Sequence, residues 1–315
     1  MDFPLELRLE FPSPLPLPGR DGAWYVTDAS QRQFLLKLTG ADGAIDPEVV
    51  RRLGAIDPSV AHLAIPERIG RAGRLTYQLV RRFHAGSLAD RLGHAVERRL
   101  PDSDVRLLVT HVHAALSALH RGAGADGPVI HCDLKPANVL IDHRDDGSPV
   151  FVVGDFDAAL VLAPDTGPAS VRRRYTLRYA APELLVRGGI PSPKSDYWSL
   201  GIMVLEALTG RRPFAEFDDN EVYLKVAMHW SPGFSDIRDA LWRALLGGLL
   251  VRDPVYRWGG EEVGRWLAGD PDIVCKGLRL AGELASAEPL VVEGERVFSA
   301  ESLARKLLRD WVEIQ

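Results

Sequence analysis

His131-Cys-Asp-Leu-Lys-Pro-Ala-Asn138 runs directly into the apolar Val139-Leu-Ile141. The pattern places a polar cluster on a loop that enters a buried strand. The loop holds a carboxylate (Asp133), a cation two residues on (Lys135) and an amide five residues on (Asn138). Phosphoryl transfer asks for such a set: a group that orients a hydroxyl nucleophile, a positive charge at the moving phosphate, and a holder for a divalent metal. Asp133 suits the first task, Lys135 the second, and the neutral amide oxygen of Asn138 suits Mg²⁺. A surface loop could carry these residues by accident, but the spacing is demanding.

A second metal-ligand candidate follows. Phe151-Val-Val-Gly-Asp155-Phe-Asp157 reads as a buried strand that ends in a carboxylate, Asp155. Between the two segments, Val139-Leu-Ile and Val150-Phe-Val-Val flank Asp145-Asp-Gly-Ser148, a hairpin turn signal. Such a hairpin brings Asn138 and Asp155 to the same end, within reach of one Mg²⁺.

With these two segments the chain resembles the eukaryotic-type Ser/Thr protein kinases. It departs from the family's His-Arg-Asp at Cys132 and from its Asp-Phe-Gly at Asp157. Other landmarks stand in the family's order. Tyr175-Thr-Leu-Arg-Tyr-Ala-Ala-Pro-Glu183 resembles the end of the activation segment, and Asp196-Tyr-Trp-Ser-Leu-Gly201 the start of a large central helix. Leu208-Thr-Gly-Arg-Arg-Pro-Phe214 is similar to the turn closing that helix. Asp253-Pro-Val-Tyr-Arg257 looks like the late element whose arginine pairs with the glutamate of Ala-Pro-Glu, here Arg257 with Glu183. The likeness runs from about residue 12 to about residue 268. It implies an α+β, bilobal fold with a mainly β N-lobe including the hinge (1–83), a mainly α C-lobe (84–270) and a C-terminal extension (271–315).

Leu17-Pro-Gly19-Arg-Asp-Gly22-Ala-Trp-Tyr25 lies where the resemblance expects a glycine-rich loop over the ATP phosphates. Gly19 and Gly22 keep two of three glycines, and Leu17 takes the place of the first. Gln33-Phe-Leu-Leu-Lys37-Leu sets a lysine inside an apolar strand. Turned inward, Lys37 needs an anionic partner, which phosphate oxygens and an acidic side chain would supply. Turned outward, it would lie on a half-exposed strand face. Glu48 is the acidic candidate, in the first turn of a helix capped by Asp46 with Pro47 behind it. A glutamate there also stabilises the helix dipole without any catalytic role. Thr76-Tyr-Gln-Leu-Val80 reads as the strand leading to the hinge Arg81-Arg-Phe83. The resemblance puts Val80 at the back of the adenine pocket, with Arg82 and Phe83 beside the nucleotide.

Composition agrees. The chain has 315 residues, 46% hydrophobic and 26% charged, with a net charge of −5 and a pI near 6.0. That describes an ordinary globular protein and gives no reason to expect nucleic-acid or membrane binding. Two cysteines suit a reducing compartment, no apolar run reaches membrane-spanning length, and the first residues lack a basic leader, so a cytoplasmic enzyme is expected. Val105 to His120 is a helix by its apolar spacing, with His111, His113 and His120 as packed or exposed side chains rather than metal ligands. Pro289 to Phe298 reads as two short strands around Glu293-Gly294. An amphipathic helix from Ser299 should follow, its apolar face (Leu303, Leu307, Leu308, Trp311) packing on the kinase or on a partner.

The function these residues and the resemblance imply is Ser/Thr phosphorylation of a protein substrate with ATP and Mg²⁺. Lys37 would hold the α/β-phosphates, braced by Glu48, with Asp155 and Asn138 on the metal. Asp133 would orient the acceptor hydroxyl and Lys135 would stabilise the γ-phosphoryl, steadied by Thr176. With Cys132 in place of arginine, activity is not expected to depend on activation-segment phosphorylation, although Thr166, Ser170 and Thr176 offer hydroxyls there and Arg172, Arg173 and Arg174 could still bind a phosphate. Two rivals stand beside this. A pseudokinase, a nucleotide-binding scaffold or regulatory module, is motivated by Leu17, Cys132 and Asp157. A small-molecule kinase of the aminoglycoside phosphotransferase type shares the His-x-Asp and Asn pattern but generally lacks the Ala-Pro-Glu, Asp196 and Arg257 landmarks.

Overall fold

Strict alternation builds the N-terminal sheet. In β3 (Gln33–Thr39), Phe34, Leu36 and Leu38 are buried on one face while Leu35, Lys37 and Thr39 lie half-buried on the other. The computed structural model describes residues 1–40, 44–56, 62–121, 127–162, 174–186, 189–228, 236–282, 290–292 and 295–297. β1 (Leu15–Pro16), β2 (Ala23–Thr27), β3, β5 (Leu75–Arg81) and β4 (Arg68–Ala72) form one antiparallel sheet in that order. Phe11, Trp24, Val26, Leu36 and Leu79 fill its core, and Leu7 of the short helix α1 (Leu5–Arg8) joins them.

The helix α2 (Pro47–Gly54) starts as its sequence requires: the Asp46 side chain accepts from the Glu48 N–H, with Pro47 behind it. Its apolar residues Val49 and Leu53, with Ile45 before it, pack not into the sheet's core but into the larger one below.

That larger core belongs to the helices. α3 (Leu88–His94) opens it with a reciprocal cap between Ser87 and Asp90. α4 (Asp102–His120) crosses α6 (Pro193–Thr209), which is buried nearly all round, as its apolar run demands. α5 (Pro182–Leu185), α7 (Asp219–Met228), α8 (Ala240–Leu249) and α9 (Gly260–Leu267) complete the lobe. Two ribbons lie near its junction with the sheet: β6 (Val129–Ile130) with β9 (Leu160–Val161), and β7 (Val139–His143) with β8 (Pro149–Val153). A mainly β lobe thus sits against a mainly α lobe.

The expected boundary at residue 270 needs correction. α10 (Pro271–Leu280) buries Ile273, Val274 and Leu278 in the C-lobe core. Its close approach to α8 requires Gly277, where an added Cβ would sit 2.3 Å from the Ala244 carbonyl oxygen. Beyond it, β10 (Leu290–Val292) pairs antiparallel with β11 (Glu295–Val297), the two strands expected there. Glu293-Gly294 and the helix expected from Ser299 lie outside the described residues.

Candidate active site

The loop from His131 to Asn138 is pinned from behind by Asp196, at the start of α6. Asp196 is 1% exposed; one carboxylate oxygen accepts from the His131 N–H at 2.9 Å, the other from the Cys132 N–H at 3.0 Å. His120 reaches the first of these oxygens at 2.8 Å. His131, fully buried, meets the Gly154 carbonyl through Nε2 and stacks obliquely on Phe156. Cys132 adopts a left-handed backbone (φ 65°) that a β-carbon disfavours, a strain found mostly at functional turns. Burial pushes its thiol pKa well up, and the nearby Asp196 and Asp133 charges add to this, so it stays neutral.

Three polar side chains then close a ring. Lys135 Nζ donates to Asp133 Oδ2 at 2.7 Å and to Thr176 Oγ1 at 2.8 Å, and Thr176 Oγ1 donates to Asp133 Oδ1 at 2.6 Å. Asn138 donates through Nδ2 to the Asp133 carbonyl at 2.9 Å. Its own Oδ1 is buried with no hydrogen-bond partner in the structure. A buried acceptor left open is costly unless something else fills it.

The β7–β8 hairpin pairs Val139 with Val153, and the Gly154 N–H donates to the Asn138 carbonyl at 2.9 Å. Asn138 and Asp155 thereby meet at one end of the ribbon. Asp155 itself is left-handed (φ 64°, ψ 74°), which turns its side chain out of the strand's course. An amide oxygen without a partner beside an ionised carboxylate fits Mg²⁺, which takes one or two protein oxygens and draws its other ligands from phosphate and water.

Lys37 faces this pair across the cleft between the lobes. Its Nζ lies 2.5 Å from Asp155 Oδ1 and 2.6 Å from Asp157 Oδ2. Burial works against the ammonium charge, but attraction to Asp155 and Asp157 outweighs it and raises its pKa. Burial likewise opposes the charge of Asp155, yet Lys37 holds its pKa below the ordinary carboxylate value. Gln78, the cross-strand neighbour of Lys37, donates to Asp157 Oδ1 at 2.7 Å.

Glu48 is not the partner of Lys37. Its carboxylate takes Arg51 at 2.5 Å and Arg52 Nε at 3.0 Å, and these hydrogen bonds pull its pKa down to about 2. The reason is packing: Val49 and Leu53 occupy the buried side of α2, leaving Glu48 partly exposed beside the arginines of the next turn.

The remaining candidates line the approach. Gly19 and Gly22 both take φ of 75° in the turn between β1 and β2, where a Cβ on Gly22 would meet the Leu38 carbonyl at 3.0 Å. Ala23, next to Gly22, pairs with Lys37, so this turn adjoins the lysine. Val80 is half-buried opposite Leu35. Arg82 lies over the Tyr25 ring at 4.0 Å and bonds Gln33, while Arg81 stacks on Phe83 at 4.3 Å and pairs with Asp142 of β7. Sequence reasoning missed Gln78 and the pairing role of Asp157; a polar residue inside Thr76-Tyr-Gln-Leu-Val80 was the available signal.

Comparison with known proteins agrees with this geometry. The family model described as the protein kinase domain matches residues 75–265, more than half of the chain. The chain is 31% identical over 159 residues to the serine/threonine-protein kinase RUNKEL of Arabidopsis thaliana, covering 50% of this chain and 11% of that protein. It is 37% identical over 141 residues to mitogen-activated protein kinase kinase 2 of the same plant, covering 45% and 36%. It is 28% identical over 235 residues to the human ribosomal protein S6 kinase alpha-4, covering 70% and 29%. The chain thus spans little more than a third of the length of these relatives at most. With its site, its two-lobed architecture and the family match in agreement, the chain belongs to the protein kinase domain family.

Proposed function

We propose that this chain transfers the γ-phosphoryl group of Mg²⁺-bound ATP to Ser or Thr hydroxyls of protein substrates. The observation that carries the reading is the ring of Asp133, Lys135 and Thr176. Asp133 Oδ2 accepts from Lys135 and, at 3.4 Å, from Asn138 Nδ2, while Oδ1 accepts from Thr176 alone and keeps a lone pair for an incoming hydroxyl. Asp133 aligns that hydroxyl and takes its proton as the oxygen bonds to phosphorus and the bond to the leaving ADP oxygen breaks. Lys135 offsets the charge that gathers on the transferring group. Lys37 steadies the α/β-phosphates, and the turn of Gly19 and Gly22 lets backbone come close to phosphate oxygens. Asn138 and Asp155 would hold Mg²⁺, which neutralises the phosphate charge. Val80, Arg82 and Phe83 would border the adenine and ribose.

Lysine at position 135, with Thr176 beside it, supports Ser/Thr over Tyr as acceptor. Cys132, neutral and buried, offers no charge to a phosphate on the activation segment, which supports activity without phosphorylation there. A second reading, a nucleotide-binding scaffold without transfer, is favoured by one observation: Asp157 replaces glycine and already occupies Lys37.

Incubating the purified chain with γ-labelled ATP, Mg²⁺ and a panel of generic protein substrates, then hydrolysing to phosphoamino acids, separates the readings. Label on Ser or Thr, lost in Asp133→Ala, is the expected result. Nucleotide binding without any label transfer would establish the scaffold.

A further inference from the structure

Lys37 has two carboxylate partners, and only one of them is free of another duty. If Asp155 turns to a metal ion, Asp157 alone is left to orient the ammonium. We propose that Asp157 is a positioning residue that braces Lys37 for nucleotide binding, in place of a glutamate on α2. The proposal rests on the reading of this cleft as an ATP site.

Four observations converge. The Lys37–Asp157 contact is 2.6 Å between two side chains that are each about four-fifths buried. The second Asp157 oxygen is fixed by Gln78 at 2.7 Å, and Gln78 is the register partner of Lys37 on β5. One sheet face therefore holds both ends of the ion pair. Asp157 lies in the single helical turn Phe156–Ala158 and is not among the residues with positive φ, so its backbone has no need of glycine. The buried Phe156 anchors that turn against His131. Glu48 meanwhile is committed to Arg51 and Arg52, and the apolar side of its helix is tied into the C-lobe core.

The brace and the metal carboxylate thus sit two residues apart on one short segment. The position of Lys37 is set by that segment and by Gln78, and not by where α2 lies. A kinase built this way would hold its phosphate-binding lysine in place without a movement of α2.

Two measurements on the full chain test this. The first needs no nucleotide: double-mutant cycles in denaturant unfolding, pairing Lys37→Met with Asp157→Asn and separately with Glu48→Gln. The expected result is non-additivity for Lys37 with Asp157 that clearly exceeds that for Lys37 with Glu48. The second is titration with Mg²⁺ and the fluorescent analogue mant-ATP. Asp157→Gly and Asp157→Asn should each weaken binding tenfold or more, with Asp157→Glu recovering most of the loss because it keeps the charge. The loss in Glu48→Gln should be several-fold smaller than in Asp157→Gly. Additive Lys37 and Asp157 effects, or an Asp157→Gly variant that binds mant-ATP as tightly as wild type or tighter, would overturn the proposal while leaving the kinase reading standing. A wild type that shows the coupling but binds no mant-ATP would overturn the nucleotide reading and the bracing role together.

Discussion

Arg257 grips Glu183 through two parallel hydrogen bonds, Nη1 to Oε1 at 2.7 Å and Nη2 to Oε2 at 2.9 Å. The arginine is fully buried, yet every part of its guanidinium is used. Nε donates to the Val251 carbonyl, Nη1 and Nη2 also reach the carbonyls of Lys194 and Arg252, and the plane lies 5.0 Å from the Trp198 ring centroid. Ser195 donates to Glu183 as well. The end of the activation segment is thereby bolted to α6 and to the loop after α8. Removing one partner strands the other charge in low dielectric, at about 3–5 kcal/mol. Arg257→Ala and Glu183→Gln should both lower the unfolding midpoint clearly; melts that match wild type would show that the pair carries no stability.

Asp133 and Asp155 should separate in their effects. Asp133→Asn keeps shape but cannot take a proton, so transfer should fall by about 10²–10⁴ while Mg²⁺-ATP affinity stays within a few-fold. On the proposed role of Asp155 as a metal ligand, Asp155→Asn should lose transfer and nucleotide affinity together. Substantial transfer by Asp155→Asn would remove it from the metal site.

Cys132 leads to a prediction about regulation. Its buried neutral thiol cannot pair with a phosphate. Treating the purified chain with phosphatase and confirming by mass that it carries no phosphate should leave the initial rate on an added substrate nearly intact. Thr166, Ser170, Arg172 and Arg173 lie outside the described residues, while Thr176 is bound into the catalytic ring. A tenfold loss, reversed by preincubation with ATP, would show control by phosphorylation through other residues of the segment.

His111 predicts a pH dependence of stability. Burial, with the nearby His62 and Arg144, lowers its pKa from 6.5 to about 4. Its Nδ1 accepts the Phe151 N–H, a contact the neutral ring permits and the doubly protonated ring does not. Between pH 6.5 and about 4 the unfolded chain binds a proton that the folded chain refuses, so stability is full above pH 6.5 and falls as pH drops through that window. His62, stacked on His111, is lowered in the same direction. Unfolding midpoints from pH 7 to 4 should fall less steeply in His111→Gln than in wild type; parallel curves would exclude His111 as the source.

Much of the catalytic loop and its hairpin could be read from residue order, because both are local. The polar run ahead of Val139-Leu-Ile141 becomes a loop entering β7, and Asp145-Asp-Gly-Ser148 closes the turn whose register brings Asn138 beside Gly154. The cap of α2 at Asp46 follows from a short pattern in the same way, whereas the pairing of Arg257 with Glu183 joins residues 74 apart and was expected only from the family resemblance. The boundary at residue 270 could not be read this way, because α10 belongs to the C-lobe by virtue of a close helix crossing at Gly277.

The choice of partner for Lys37 lay beyond the sequence for the same reason. Glu48, Asp155 and Asp157 are all carboxylates within a plausible reach, and spacing along the chain does not rank them. The amino-acid order by itself determined the polar run of Asp133, Lys135 and Asn138 and the local turns that display it, since those depend on neighbours a few residues apart. Only the tertiary structure decided that Lys37 meets Asp155 and Asp157, because that pairing spans about 120 residues. It depends on where α2 buries Val49 and Leu53, and on which face of the sheet Gln78 shares with Lys37.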